Sequence, residues 1–199
     1  RGRRSIARLV ELAPEQAVVA LLADGTVRCW GYGVFGQLGN GGNTSSTDAV
    51  AVTALSGVTA IAAGSHHTIA LLADGGVWTW GWNNNGQLGN GTFANANVPT
   101  SVSGLSGVTA VAAGSNHTVA LLTDGTLRAW GRNDAGQLGG ASTPSRSTPV
   151  AVDGVSGVRA IAAGADHTMA LLADGTVLAW GGNTYGELGD GTTNTRVTP

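Results

Sequence analysis

Apolar residues in this chain come in short runs, each stopped by glycine, asparagine or aspartate before it reaches helical length. Val58–Ala63 (VTAIAA) is closed by Gly64, residues 67–73 (HTIALLA) run into Asp74-Gly75, and Val77–Gly81 (VWTWG) opens into a turn that ends Gly86-Gln87-Leu88-Gly89. Runs of this length bounded by turn formers read as strands, and Asp-Gly between two of them is a hairpin signal. No 3.6-residue period supports a helix. A further extended piece at 99–102 leads to Gly104 and Gly107. The unit is predicted to be a small antiparallel meander of three or four strands.

The same order of runs returns every 50 residues without insertion. Trp30, Trp80, Trp130 and Trp180 keep that spacing, as do Asp24, Asp74, Asp124 and Asp174, and Gly36, Gly86, Gly136 and Gly186. A period in this range marks a solenoid, a propeller or an array. Strands that are apolar on both faces need cover on both, and radial packing of like sheets provides it while leaving only short edges. The expected fold is all-β: a β-propeller with blades at approximately 6–50, 51–100, 101–150 and 151–199, so that 1–199 is a single propeller segment. Ala-Ala-Gly at 62–64, 112–114 and 162–164 suits the crowded inner strand, where blades converge. The four tryptophans are expected to fill the wider gap between blades and to be buried there.

The stretch 112–139, AAGSNHTVALLTDGTLRAWGRNDAGQLG, joins G-x-x-H-T-x-A-L, D-G, W-G and G-Q-L-G at one spacing, and 162–189 repeats it with Glu187 for glutamine. These strings resemble the repeat of the regulator of chromosome condensation family. The resemblance covers 58–199 well. The first unit departs from it, with Pro14 and Ala17 where Gly64 and His67 stand, so Ile6 to Val19 is expected to be a degraded or terminal strand. The resemblance implies a seven-bladed β-propeller, of which four blades are present as an open part of the ring. It also implies binding at a loop face. Some members exchange nucleotide on a small GTPase, often with an inserted wedge, for which the constant period leaves no room. A bacterial β-lactamase inhibitory protein uses a similar propeller face to seize an enzyme. The tryptophan-bearing G-W-x-H-T motif of the plant ultraviolet-B receptor is replaced here by Gly64-Ser65-His66-His67-Thr68.

Composition narrows the chemistry. A formal net charge of −2 gives no footprint for nucleic acid, and no apolar run approaches a membrane span, so neither partner is expected. Gly31-Tyr32-Gly33-Val34-Phe35-Gly36 matches G-x-G-x-x-G, but a dinucleotide site needs a helix after it, whereas Gln37-Leu38-Gly39 follows. The sister units carry Asn83, Asn133 and Asn183 at the place of Gly33, so a left-handed turn position is expected. His67, His117 and His167 recur on different blades, about 10 Å apart by sheet spacing, too far to share one zinc. A hydrogen bond tying their own turn is the expected role, and His66 is expected to be exposed. The lone Cys29 sits in a strand, and the aspartates are mostly hairpin formers. Asn43, Asn90 and Asn116 open N-x-S/T triplets, which carry meaning only in a glycosylating host. No catalytic group, metal or cofactor is expected, and the protein is not expected to be an enzyme.

What varies between repeats carries the functional reading. In a meander alternate turns share one end, so positions 65–66, 115–116 and 165–166 should lie beside 32–35, 82–85, 132–135 and 182–185. The Asp-Gly turns should lie at the other end. The variable positions hold Tyr32, Phe35, His66, Trp82, Asn84, Asn116, Arg132, Asp134, Asp166 and Tyr185. Aromatic residues and arginine on loops over a rigid scaffold point to a recognition surface. The expected function is a non-catalytic protein-interaction module whose partner the sequence does not identify. A GTPase exchange-factor-like role and a carbohydrate or surface-adhesion role are the alternatives, the second because Trp and Asn sit together at 82–85.

The chain begins at Arg1 and stops at Pro199 in mid-unit, and it reads as a piece of something longer. Its four blades are expected to form an open arc with bare apolar faces near Leu21 and Leu22 at one end and near Leu171 and Leu172 at the other. Self-association, or a need for further blades, follows from that expectation.

Overall fold

A computed structural model of the chain describes residues 6–11, 17–140 and 144–199. Strands β1 (Ile6–Glu11), β2 (Ala17–Leu22), β3 (Val27–Gly31) and β4 (Ser46–Ala51) pair in that order as an antiparallel sheet. The second sheet is β5 (Val58–Ala63), β6 (His67–Leu72), β7 (Val77–Gly81) and β8 (Ala96–Ser101). The third is β9 (Val108–Ala113), β10 (His117–Leu122), β11 (Leu127–Gly131) and β12 (Arg146–Ala151). The fourth is β13 (Val158–Ala163), β14 (His167–Leu172) and β15 (Val177–Gly181), with one bridge from Gly181 to Arg196. The first sheet has a complete set of strands, so the stretch expected to be one degraded strand is two, β1 and β2. Pro14 lies outside the described residues.

The hairpin between the second and third strands of each sheet follows from Asp and Gly. Gly25 takes φ +76° and donates to the Leu22 carbonyl, and Asp24 Oδ1 accepts from the Thr26 amide at 3.0 Å. These hairpins meet the β4–β5 type linkers at one end, where the Ala73 amide donates to the Gly57 carbonyl. At the opposite end the Trp82 amide donates to the His66 carbonyl, which joins the turn after the inner strand to the loop after the tryptophan strand. The two ends are thus divided as the strand order predicts.

Each blade stacks its forward face on the back of the next. Val19, Leu21, Cys29 and Leu38 of the first blade share a core with Ile61, Ala70 and Trp80 of the second. Ile69, Leu71 and Val77 meet Ala120 and Trp130, and Val119, Leu121, Leu127, Ala129 and Leu138 meet Ala170 and Trp180. The inner strands β1, β5, β9 and β13 neighbour one another in chain order, and the described residues form an open arc.

Two expectations about the bare faces need correction. Trp80, Trp130 and Trp180 are fully buried, but Trp30 is only half-buried, because each indole packs on the blade before its own and none precedes Trp30 among the described residues. Leu21 and Leu22 are both buried, and Leu172 faces backward into the core of the third and fourth blades. The bare forward face of the fourth blade is formed by Met169, Leu171, Val177, Ala179 and Leu188. Val177 is 62% exposed where its third-blade equivalent Leu127 is 0%.

One bonding scheme recurs at every seam and accounts for the G-Q-L-G motif position by position. Gln37 Oε1 accepts from the Phe35 amide, while the Gln37 carbonyl accepts from Trp80 Nε1 at 2.9 Å and from Thr68 Oγ1 at 3.2 Å. Gln87 does the same for Asn85, Trp130 and Thr118, and Gln137 for Ala135, Trp180 and Thr168. Leu38 plugs the core, and Gly39 lets the indole lie on the backbone, since a Cβ there would stand 2.7 Å from Trp80 Nε1.

The histidines complete this scheme in a way the sequence reading did not anticipate. His67 Nε2 lies 3.1 Å from Thr118 Oγ1 and His117 Nε2 3.1 Å from Thr168 Oγ1. Each histidine therefore ties its blade to the next, and its own turn is closed by backbone instead, Gly64 N donating to the His67 carbonyl. Because the threonine hydroxyl spends its proton on a glutamine carbonyl, it can only accept from histidine, which fixes the Nε2–H tautomer.

Candidate protein-interaction face

The loop end is built by backbone rules that hold the variable side chains in place. The left-handed positions there are glycines, Gly31 and Gly36 among them, and the positions held by Gly33, Asn83, Asn133 and Asn183 are not left-handed, contrary to the sequence reading. Asparagine is used there for its amide. Asn83 Oδ1 accepts from the Leu88 amide at 2.9 Å, and its Nδ2 donates to the carbonyls of Thr92 and Ala94. Gly33 differs because the Thr44 carbonyl and Leu38 occupy the space that a Cβ would need. The G-x-G-x-x-G string lies on this β3–β4 loop, with strand β4 as the next regular element.

Four of the ten predicted residues come together across the seam of the first and second blades. Tyr32 and Phe35 from one and His66 and Trp82 from the other have ring centroids 5.2–6.0 Å apart in tilted and edge-on arrangements. Such edge and tilted pairs suit the ring quadrupoles. All four are half-buried, so His66 is not the exposed residue expected. Burial among the rings pushes its pKa down.

Arg132, Asp134 and Asp166 meet at the third and fourth blades. Arg132 Nε donates to Asp134 Oδ2 at 2.9 Å and its Nη1 to Asp166 Oδ1 at 3.4 Å. The bond to Asp134, with the nearby Asp166 carboxylate, holds the guanidinium pKa above its ordinary value. Asn116 lies half-buried between the two groups. Asn84 stands exposed at its loop tip, and Tyr185 is 90% exposed on the fourth blade, away from the ring cluster.

The glutamines beneath this face were not among the predicted site residues, although G-Q-L-G at constant spacing was their signal. Gln137 Nε2 donates to Asp166 Oδ1 at 3.4 Å, closing the third seam at its loop end. At the equivalent places of the other seams Gln37 Nε2 and Gln87 Nε2 are buried without a bond to another protein group, as are Asn116 Oδ1 and Nδ1 of His66, His67 and His117.

One thiol and two imidazoles lie in the interior. Cys29 is fully buried, and desolvation pushes its thiol up to about 12. His67 and His117 are pushed down to about 3, first by desolvation and then by neighbouring histidines, and so stay neutral in their seam bonds.

The sequence model of the RCC1-like domain matches residues 12–199. Among solved structures, yeast RCC1 (Prp20), crystallised bound to Kap60, is similar over the whole of this chain with a TM-score of 0.86 and 25% identity, covering 49% of that chain. Human WBSCR16 is similar with a TM-score of 0.88 and 25% identity, covering 53% of its chain. Prp20p from Saccharomyces cerevisiae, described with its binding properties to Gsp1p and histones, has a TM-score of 0.88, 24% identity and 50% coverage. This chain spans about half the length of these solved relatives. No curated protein sequence matches it.

Proposed function

This chain belongs to the RCC1-like domain family, and from that premise we propose that it is a non-catalytic module that binds a protein through the loop end of its blades. The observation that carries the proposal is the Tyr32, Phe35, His66 and Trp82 cluster. The side chains of these residues take no part in the recurring seam bonds, yet the rings gather in one half-exposed patch. An apolar patch rimmed by polar residues is the usual form of a protein-binding site, and tyrosine, tryptophan and arginine are its common anchors. One similar propeller, yeast Prp20, is described in complex with Kap60 and with binding properties to Gsp1p and histones, which supports a protein as partner. Binding without chemistry agrees with a thiol and two histidines committed to the interior.

The test is affinity capture with the immobilised chain from its native host. Trp82→Ser with Phe35→Ser should abolish capture of the partner. Ser56→Glu with Ser106→Glu, at the hairpin end, should leave it intact. Capture that survives the first pair and fails with the second would place binding at the wrong end and overturn the reading. Retention on a glycan array through Trp82, with no protein captured, would replace it with the adhesion role.

A further inference from the structure

Two features of the loop end point beyond a generic binding face. The ring cluster supplies an apolar anchor point on the first and second blades. Beyond it lies an unbalanced ion cluster, in which one guanidinium, Arg132, serves two carboxylates. Asp134 and Asp166 keep 63% and 43% of their side-chain surface exposed, so the surplus negative charge is open to a partner.

The aromatic patch stabilises a partner mainly by excluding water. The carboxylate pair selects the sign of charge that lies beside the anchor, since a like charge placed there costs binding. The carboxylates sit on the third and fourth blades and the rings on the first and second, so one occupant touching both must span several blades.

Resting on the reading above, we infer that the face takes a protein loop presenting an aromatic or long aliphatic side chain to the Trp82 cluster and a lysine or arginine to Asp134 and Asp166. The anchor covers the rings of the first and second blades. The cation completes the charge balance that Arg132 leaves unfinished.

The test uses the full chain and four head-to-tail cyclic peptides on one Gly/Ser frame, bearing Trp and Arg, Trp and Glu, Ser and Arg, or Ser and Glu. Binding is followed by amide and indole NMR shifts. The Trp and Arg peptide should bind best, shifting the Trp82 indole and the 166 amide, and changing its Arg to Glu should weaken it about two- to fivefold, the scale of a part-exposed ion pair. Asp134→Asn with Asp166→Asn should abolish or reverse that preference, since Arg132 is then left unpaired, while keeping the Trp dependence. Phe35→Ser should weaken both Trp peptides alike. Equal affinity for the Arg and Glu peptides, shifts confined to the Asp-Gly end, or no shifts at millimolar peptide would each overturn the inference. A chain that captures a protein through Trp82 and Phe35 yet shows no charge preference would overturn this inference alone and leave the interaction module standing. Capture that is indifferent to both residues would overturn the module.

Discussion

At the scale of single residues, identical side chains in different blades do not carry equal weight. Trp80 and Trp130 are fully buried and donate to glutamine carbonyls, whereas Trp30 is half-buried. Trp130→Ala should cost about 3–5 kcal/mol, as large-to-small changes at buried aromatics do. Trp30→Ala should cost about 1–2 kcal/mol, in proportion to the smaller apolar area it buries. Denaturant midpoints at unchanged slope would show both, and equal costs would contradict the backward packing of the indoles. The seam histidines make a separate prediction. His67 and His117 have their pKa lowered from 6.5 to about 3 in the folded state. Below pH 6.5 the unfolded chain binds protons that the folded chain refuses, so this stability is full above 6.5 and is lost as pH falls toward 3. The slope should reach about 1 kcal/mol per pH unit for each histidine. His67→Gln with His117→Gln should flatten urea-measured stability across that window while lowering it at neutral pH.

At the scale of the element, the loop after the tryptophan strand is braced by one asparagine in the second, third and fourth blades, Asn83, Asn133 and Asn183. Asn83 satisfies two carbonyls and one amide, so Asn83→Ala leaves buried groups unpaired and should cost about 1–3 kcal/mol. Faster hydrogen exchange at the Leu88 amide would locate the damage. The equivalent change toward the sister repeats, Gly33→Asn, should also destabilise, because its Cβ would meet the Thr44 carbonyl and Leu38. A stabilised Gly33→Asn protein would show that the first loop can relax into the form of the others. Strand positions and the Asp-Gly hairpins were legible in the sequence, since they follow from local runs and turn chemistry. The role of the asparagines was not, because the loop backbone that they bond became visible only in three dimensions.

For the whole molecule, the arc exposes chemistry that its interior seams conceal. The forward face of the fourth blade presents Val177, Leu171 and Met169, and the Glu187 carbonyl occupies the place of the seam acceptors Gln37, Gln87 and Gln137. A bare blade face of this kind invites association. Sedimentation of the 199-residue chain should therefore depend on concentration, and Leu171→Gln with Val177→Glu should restore monomer. A wild-type chain that stays monomeric at every concentration would show that the face needs no cover.

The sequence by itself determined the repeating unit, the all-β class and the division of the turns between two ends. Each of these depends on periodicity and on residues close along the chain. It also singled out Tyr32, Phe35, His66 and Trp82 as variable positions at one end. Only the tertiary structure decided that they touch, that His67 reaches Thr118 across 51 residues, and that Trp80 reaches the Gln37 carbonyl across 43. It also decided that Trp30 is left half-bare. These contacts are set by the angle and order in which blades stack, and no local run of apolar and polar residues encodes that packing.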